Sequence, residues 1–144
     1  GSEMCIRDSN NSIPLKGNAF ISVKDKDKDK ILNNAKKLVK FGFSLFATSG
    51  TARYLVAYGV WCIIVIKVSQ GSPHIVDRLN YKNISLVINT TEGKDSIADS
   101  FSLRRTSLVN RVPYFTTIAA ANACLESIEA LKKYPIKVRA LQDN

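Results

Sequence analysis

Residues 60–66 read VWCIIVI, an unbroken apolar run rich in β-branched side chains. A strand with one wet face alternates apolar and polar residues. A continuous run of this length reads instead as a strand covered on both faces, as parallel sheets are. The expectation is a strand with Trp61 and Cys62 in the core.

Working toward the N-terminus, Gly59 closes a short helix over residues 51–58, for which Thr51 is a natural cap. Before it, residues 43–47 (FSLFA) form a strand. Residues 25–41 place Ile31, Leu32, Ala35, Leu38 and Val39 on one helical face, and Gly42 follows as the stop. Residues 18–23 (NAFISV) begin the pattern as a strand. Toward the C-terminus, a Gly71-Ser72-Pro73 loop leads into a short helical stretch at 75–79. A strand follows at 84–89 (ISLVIN), then a helix at 99–110 and a short strand at 114–116. The clearest helix covers 117–133, and a small strand is expected at 137–141. Five strands alternating with helices predict an α/β three-layer sandwich, a five-stranded parallel sheet doubly wound by right-handed crossovers.

The chain has 144 residues, 45% of them hydrophobic, enough for one domain with its own core. Residues 1–16 (GSEMCIRDSNNSIPLK) lack periodicity and read as a disordered leader. Gly1-Ser2 looks like a cloning remnant; the chain could start at Met4, its only methionine, or equally be cut from something longer. The domain proper is expected at 17–144. No apolar run approaches the ~18–20 residues of a membrane span, and no secretory signal is visible. Three widely spaced cysteines, Cys5, Cys62 and Cys124, form no CxxC pair, which suits a reducing cytoplasm. Cys62 and Cys124 read as core thiols. The one histidine, His74, leaves an imidazole metal site or triad short of partners, so no metal is expected. The net charge of +9, from 21 Lys and Arg against 12 Asp and Glu, points to an anionic partner. No aromatics interleave with a basic patch, so nucleic acid is not expected.

In this fold class ligands bind beyond the carboxyl ends of the strands. Lys24, Asp25, Lys26, Asp27 and Lys28 follow the first strand, and Thr48, Ser49, Gly50 and Thr51 the second. Lys67 follows the third, Asn89 to Lys94 the fourth, and Thr116 and Thr117 the fifth. Hydroxyls, amides, one Gly turn at a helix start and several ammonium groups suit a phosphate. Thr-Ser-Gly-Thr is also a common turn, and the 24–30 run taken alone reads as a solvated helix start. It is the convergence of loops that favours a site. Arg104-Arg105 reads as a helix-surface pair, and Asp77, near His74, as a surface or capping residue. Neither GxGxxG nor GxxxxGK[ST] is present.

FISVKDKDKDK, GFSLFATSGTA, VIKVSQGSPHIVDRL, LVINTTEG and DSFSLRRTSLVNRVPYFTT occur in this order. Together they resemble the C-terminal regulatory domain of the large subunit of glutamine-dependent carbamoyl-phosphate synthase, a methylglyoxal-synthase-like domain. The resemblance covers about 17–144 and implies a flavodoxin-like sheet. It also implies an allosteric site for UMP or IMP and a contribution to an ornithine site, in arginine and pyrimidine biosynthesis. It assigns the effector phosphate to Lys28, Thr48, Gly50, Thr51 and Lys67, and the ribose and base to Ser22, Asn89, Thr90, Thr91 and Asp99. Ornithine falls to Tyr114 and Thr116. Where some relatives are acidic, this chain has Phe46 and Phe115.

The implied partners are the ATP-grasp domains of the large subunit and the glutamine amidotransferase small subunit, with oligomerisation an option. The parent enzyme, an ATP-dependent ligase, would use ATP and magnesium. No cofactor is expected in this domain, and the isolated chain is expected to be non-catalytic. The alternative is a stand-alone lyase of the methylglyoxal synthase type acting on a triose phosphate. That family carries Gly-Gly-Asp after its third strand and Asp-Pro after its fourth. This chain has Ser69-Gln70-Gly71-Ser72 and Thr90-Thr91 there. The Lys-Thr-Leu-His-Pro-Lys segment of the inosinate cyclohydrolase domain is also absent.

Overall fold

The computed structural model describes residues 13–65, 75, 83–90 and 94–133. Five strands run through them: β1 (Gly17–Ser22), β2 (Phe43–Ala47), β3 (Ile63–Ile64), β4 (Leu86–Asn89) and β5 (Tyr114–Phe115). They pair in the order β3-β2-β1-β4-β5, every pair parallel. Among the described residues a 3-10 turn (Asp25–Asp27) leads into α1 (Lys28–Lys40). The other helices are α2 (Ser49–Ala57), α3 (Lys94–Val109) and α4 (Ile118–Lys133).

The register explains both cores. Phe20 stands between Phe46 and Val87, and Val87 beside Tyr114, so one apolar row crosses four strands. Together with Leu103 of α3 and Ile75 it forms the core on one face. The next residues along, Ile21, Ala47, Ile88 and Phe115, form the matching row on the other face. There they meet Ile31, Ala35 and Leu38 of α1, Leu55 of α2 and Leu125 and Ile128 of α4. The period of two in the strands thus meets the 3.6 period of the helices. The expected three-layer α/β architecture is what forms.

α1 and α2 lie on the same face, so β1, β2 and β3 step outward in one direction. β4 starts on the opposite side of β1, and α3 covers the opposite face. The chain therefore reverses direction between β1 and β4, and the carboxyl ends of those strands flank a crevice. Gly42 (φ 101°) and Gly59 (φ 86°) end α1 and α2 in the left-handed conformation that favours glycine, as the sequence predicts.

Residues 60–65 are not covered on both faces as expected, and residue 66 lies outside the described residues. Among the described residues β3 is an edge strand of two residues, paired with β2 alone. Val60, Cys62 and Val65 are buried, but Trp61 is 70% exposed and Ile64 62% exposed. Trp61 is not a core residue. Among the described residues β3 is the last strand of the outward-stepping half, and none of them pairs with its outer edge. An apolar run reports strand character; it does not report position in the sheet.

Smaller differences concern helix starts. α2 begins at Ser49, with Thr48 rather than Thr51 as its N-cap. α3 begins at Lys94, which places Asp99 inside the helix instead of at its start. Ile13 packs against the core ahead of β1. Residue 75 is helical and buried. The rest of the expected 75–79 helix, the 137–141 strand, His74 and Asp77 lie outside the described residues.

Candidate functional site

The carboxyl ends of β1, β2 and β4 are joined by side-chain hydroxyls. Thr51, in the first turn of α2, is 2% exposed, and its Oγ1 accepts the Val23 N–H at 3.1 Å. Thr90, just past β4, accepts the Lys24 N–H at 3.0 Å. Its own N–H donates to the Ser22 carbonyl at 3.0 Å. The Thr48 hydroxyl donates to the Ser22 hydroxyl at 3.1 Å. A hydroxyl carries one donor and two acceptor positions. Thr51 and Thr90 therefore satisfy main-chain donors that leave the sheet and still keep an O–H for a ligand.

α2 presents its N-terminus to the same place. Thr48 has extended backbone angles and makes no side-chain cap bond. Its carbonyl accepts the Ala52 N–H at 2.8 Å, the first bond of the helix. The N–H groups of Ser49, Gly50 and Thr51 precede that bond and have no acceptor within the helix, so they and the positive dipole end face outward. Gly50 matters by what lies against it. A Cβ there would stand 3.4 Å from the Lys28 Nζ. The Lys28 ammonium, carried at the start of α1, is thus held over the first turn of α2.

Lys28 Nζ also meets Asp25 Oδ1 at 2.5 Å, with the Lys28 side chain 20% exposed and that of Asp25 88% exposed. The hydrogen bond from this ammonium, followed by its charge, holds the Asp25 carboxyl below its ordinary value.

On the far side of the switch, Asn89 ends β4. Its Nδ2 donates to Tyr114 OH at 2.8 Å and to Ser100 Oγ at 2.9 Å. Both amide hydrogens are thereby committed, which fixes the orientation of the carboxamide. Tyr114 is 4% exposed. Burial pushes its phenol up, against the smaller opposing effects of the Asn89 bond, the Arg104 charge and Ser100. The Arg104 guanidinium sits 6.0 Å from the Tyr114 ring centroid.

Of the residues expected from the sequence, Ser22, Lys28, Thr48, Gly50, Thr51, Asn89 and Thr90 come together around this crevice. Tyr114 joins them from below, as a buried support of Asn89, while Thr116 is exposed at the end of β5. Lys67 and Thr91 lie outside the described residues. Asp99 lies in α3, one residue before Ser100. Ser100 and the Val23 and Lys24 amides are additional members. Ser100 carried no signal in the sequence, because a serine inside a helix is ordinary. Among the described residues no cluster of three His, Cys, Asp or Glu side chains could hold a metal. No helix among them is long and apolar enough to cross a membrane.

A family model described as "MGS-like domain" matches residues 30–116. The chain is 49% identical over 132 residues to the carbamoyl phosphate synthase large chain, C-terminal section, of Methanopyrus kandleri, covering 91% of this chain and 24% of that protein. It is 48% identical over 131 residues to the carbamoyl phosphate synthase large chain of Myxococcus xanthus, covering 91% of this chain and 12% of the other. The chain therefore spans a quarter or less of the length of these relatives. Among solved structures, methylglyoxal synthase from Elizabethkingia anophelis aligns with a TM-score of 0.60 at 21% identity, covering 78% of this chain and 79% of that one. At that identity the likeness speaks for the fold alone. The chain belongs to the MGS-like domain family, and within it is similar to the C-terminal part of carbamoyl phosphate synthase large chains.

Proposed function

We propose that this chain is the regulatory domain of a carbamoyl-phosphate synthase large subunit and binds a nucleoside monophosphate, UMP or IMP. The observation that carries the reading is the Lys28 ammonium packed on Gly50 at the N-terminus of α2, where the N-cap Thr48 makes no side-chain cap bond. A cation beside the positive end of a helix is unfavourable unless an anion joins them. A phosphoryl group there would accept from the first-turn N–H groups, the Thr51 hydroxyl and Lys28, with Lys67 as a further donor. Ribose and base would extend toward Ser22, Asn89, Thr90, Thr91 and Asp99. Ornithine would be met near Tyr114 and Thr116. The parent ligase would act through its ATP-grasp domains, ATP and magnesium, and its glutamine amidotransferase subunit, in arginine and pyrimidine biosynthesis.

Calorimetric titration of the chain with UMP, IMP and ornithine tests this. Saturable binding of a nucleotide is expected, and no heat with either nucleotide at millimolar concentration would overturn it. A lyase acting on a triose phosphate needs a positioned base to take a proton beside the carbonyl. Where that family has Asp-Pro this chain has Thr90-Thr91, and Thr90 is engaged with the Lys24 N–H. The chain is expected not to form methylglyoxal from dihydroxyacetone phosphate. Turnover that survives purification and is lost in Asp99→Asn would contradict this.

A further inference from the structure

We infer that Asp25 is a displaceable stand-in anion: its carboxylate holds the Lys28 ammonium in place of the ligand's phosphoryl group and so sets the affinity of the site. This rests on the phosphate reading of the α2 N-terminus. The only ion pair among the described residues is Lys28 with Asp25. Among the described residues that pair is placed at the one helix start where an ammonium lies against a glycine of the first turn. The two partners differ in a way that makes the contact exchangeable. The Lys28 side chain is mostly buried, at 20% exposure, so its ammonium is confined to the mouth of the site. Asp25 is 88% exposed and sits in a 3-10 turn, so its carboxylate can swing into solvent at little cost.

A phosphoryl group bound to the α2 first turn claims the same ammonium. It must separate the pair, and it then faces a like charge three residues from Lys28. Both effects oppose binding, and both grow with the negative charge of the ligand. An exposed pair is worth little in itself. Two modest opposing effects on one ammonium nevertheless lower affinity about three- to tenfold. Asp25 would thus keep Lys28 oriented toward the helix start in the empty state while tuning the site to release its effector.

The test is a double-mutant cycle on the whole chain, titrated with inorganic phosphate and with UMP at fixed ionic strength. The four proteins are the parent, Asp25→Asn, Lys28→Ala and the double variant, with Asp27→Asn as the control for charge alone. Asp25→Asn should bind both ligands about three- to tenfold more tightly, by the same competition argument, and Asp27→Asn should change affinity less than about twofold. In the Lys28→Ala background the gain should fall to the level of the Asp27→Asn control. Equal gains for Asp25→Asn and Asp27→Asn, or weaker binding by Asp25→Asn, would overturn the inference while leaving the phosphate site intact. If neither the parent nor Asp25→Asn binds either ligand, the site reading itself falls, and the inference with it. Unchanged melting temperature in Asp25→Asn, expected for so exposed a residue, separates a change in the site from a change in folding.

Discussion

The edge strand β3 and the central strand β1 invert what their sequences advertise. VWCIIVI is the more apolar stretch, yet its described residues, 60–65, contribute a two-residue strand at the sheet edge and leave Trp61 and Ile64 largely in solvent. GNAFIS is plainer, yet it pairs on both sides, and Ala19, Phe20 and Ile21 are buried to within 1%. Position in a doubly wound sheet is set by the hand and order of the crossovers. Strand hydrophobicity only sets which residues can tolerate it. The candidate site follows the centre: its main-chain latches, Val23 to Thr51 and Lys24 to Thr90, leave the end of β1.

The contrast is sharpest in core truncation. Ile88, on β4 beside Ile21, is fully buried. Ile88→Ala should lower unfolding free energy by about 2–5 kcal/mol in a denaturant titration, through lost burial and the cavity left behind. The same truncation at Ile64, 62% exposed on the edge, should cost less than about 1 kcal/mol. Equal costs would mean that β3 is held far more firmly than its single paired neighbour indicates.

A middle-sized effect tests the latches. Thr51→Val keeps the shape of a buried side chain and orphans the Val23 N–H. It should cost about 1–3 kcal/mol, and Thr51→Ser should recover most of it. If Thr51→Val melts with the parent, the hydroxyl is not a support of β1, and its role is with the ligand alone.

The smallest effects concern the two buried thiols. Cys124 lies on α4 in the core at 1% exposure, and burial pushes its thiol up to about 12. Cys62, beside the edge, is raised too, by burial, and its Sγ lies 3.8 Å from the Ala52 carbonyl. Both should resist a thiol reagent at neutral pH in the folded protein, with Cys62 reacting first as the edge opens. Because the folded state keeps the Cys124 proton longer than the unfolded one, this contribution to stability is whole below the unfolded value near 9. It is lost as pH rises toward 12. Cys124→Ala should therefore flatten the alkaline decline of the melting temperature. Faster labelling of Cys124 than of Cys62 would place the looser region at the wrong end of the sheet.

How much of this was legible depended on what each signal encodes. The helical face of Ile31, Ala35 and Leu38 and the stops at Gly42 and Gly59 were readable because period and left-handed backbone are local properties. β2 was readable residue for residue, from its apolar content between two such stops. Strand order was not, because it follows from crossovers that leave no mark on any one strand, and so the apolar residues 60–65 give no sign of lying at an edge. The hydroxyl cluster was legible as a set, since Thr48, Thr51 and Thr90 each follow a strand. Its wiring was not: that Thr51 holds Val23 depends on β2 lying beside β1, and that Thr90 holds Lys24 depends on β4 lying on the other side. Asp25 was visible only as one charge in an alternating run, since its partner in space is chosen by how α1 meets α2.

The central claim is that Lys28, at the α2 start, grips an anion specifically. The direct measurement compares Lys28→Ala with Lys26→Ala by calorimetric titration with UMP and IMP at fixed ionic strength. Each loses one positive charge from the same run, but Lys26 is exposed, and only Lys28 lies against Gly50. Loss of one charge-assisted hydrogen bond should weaken binding about 10- to 100-fold in Lys28→Ala. Lys26→Ala should lie within about twofold of the parent, as expected for an exposed charge screened by salt. Equal, small losses in the two would leave only diffuse electrostatics and contradict the account.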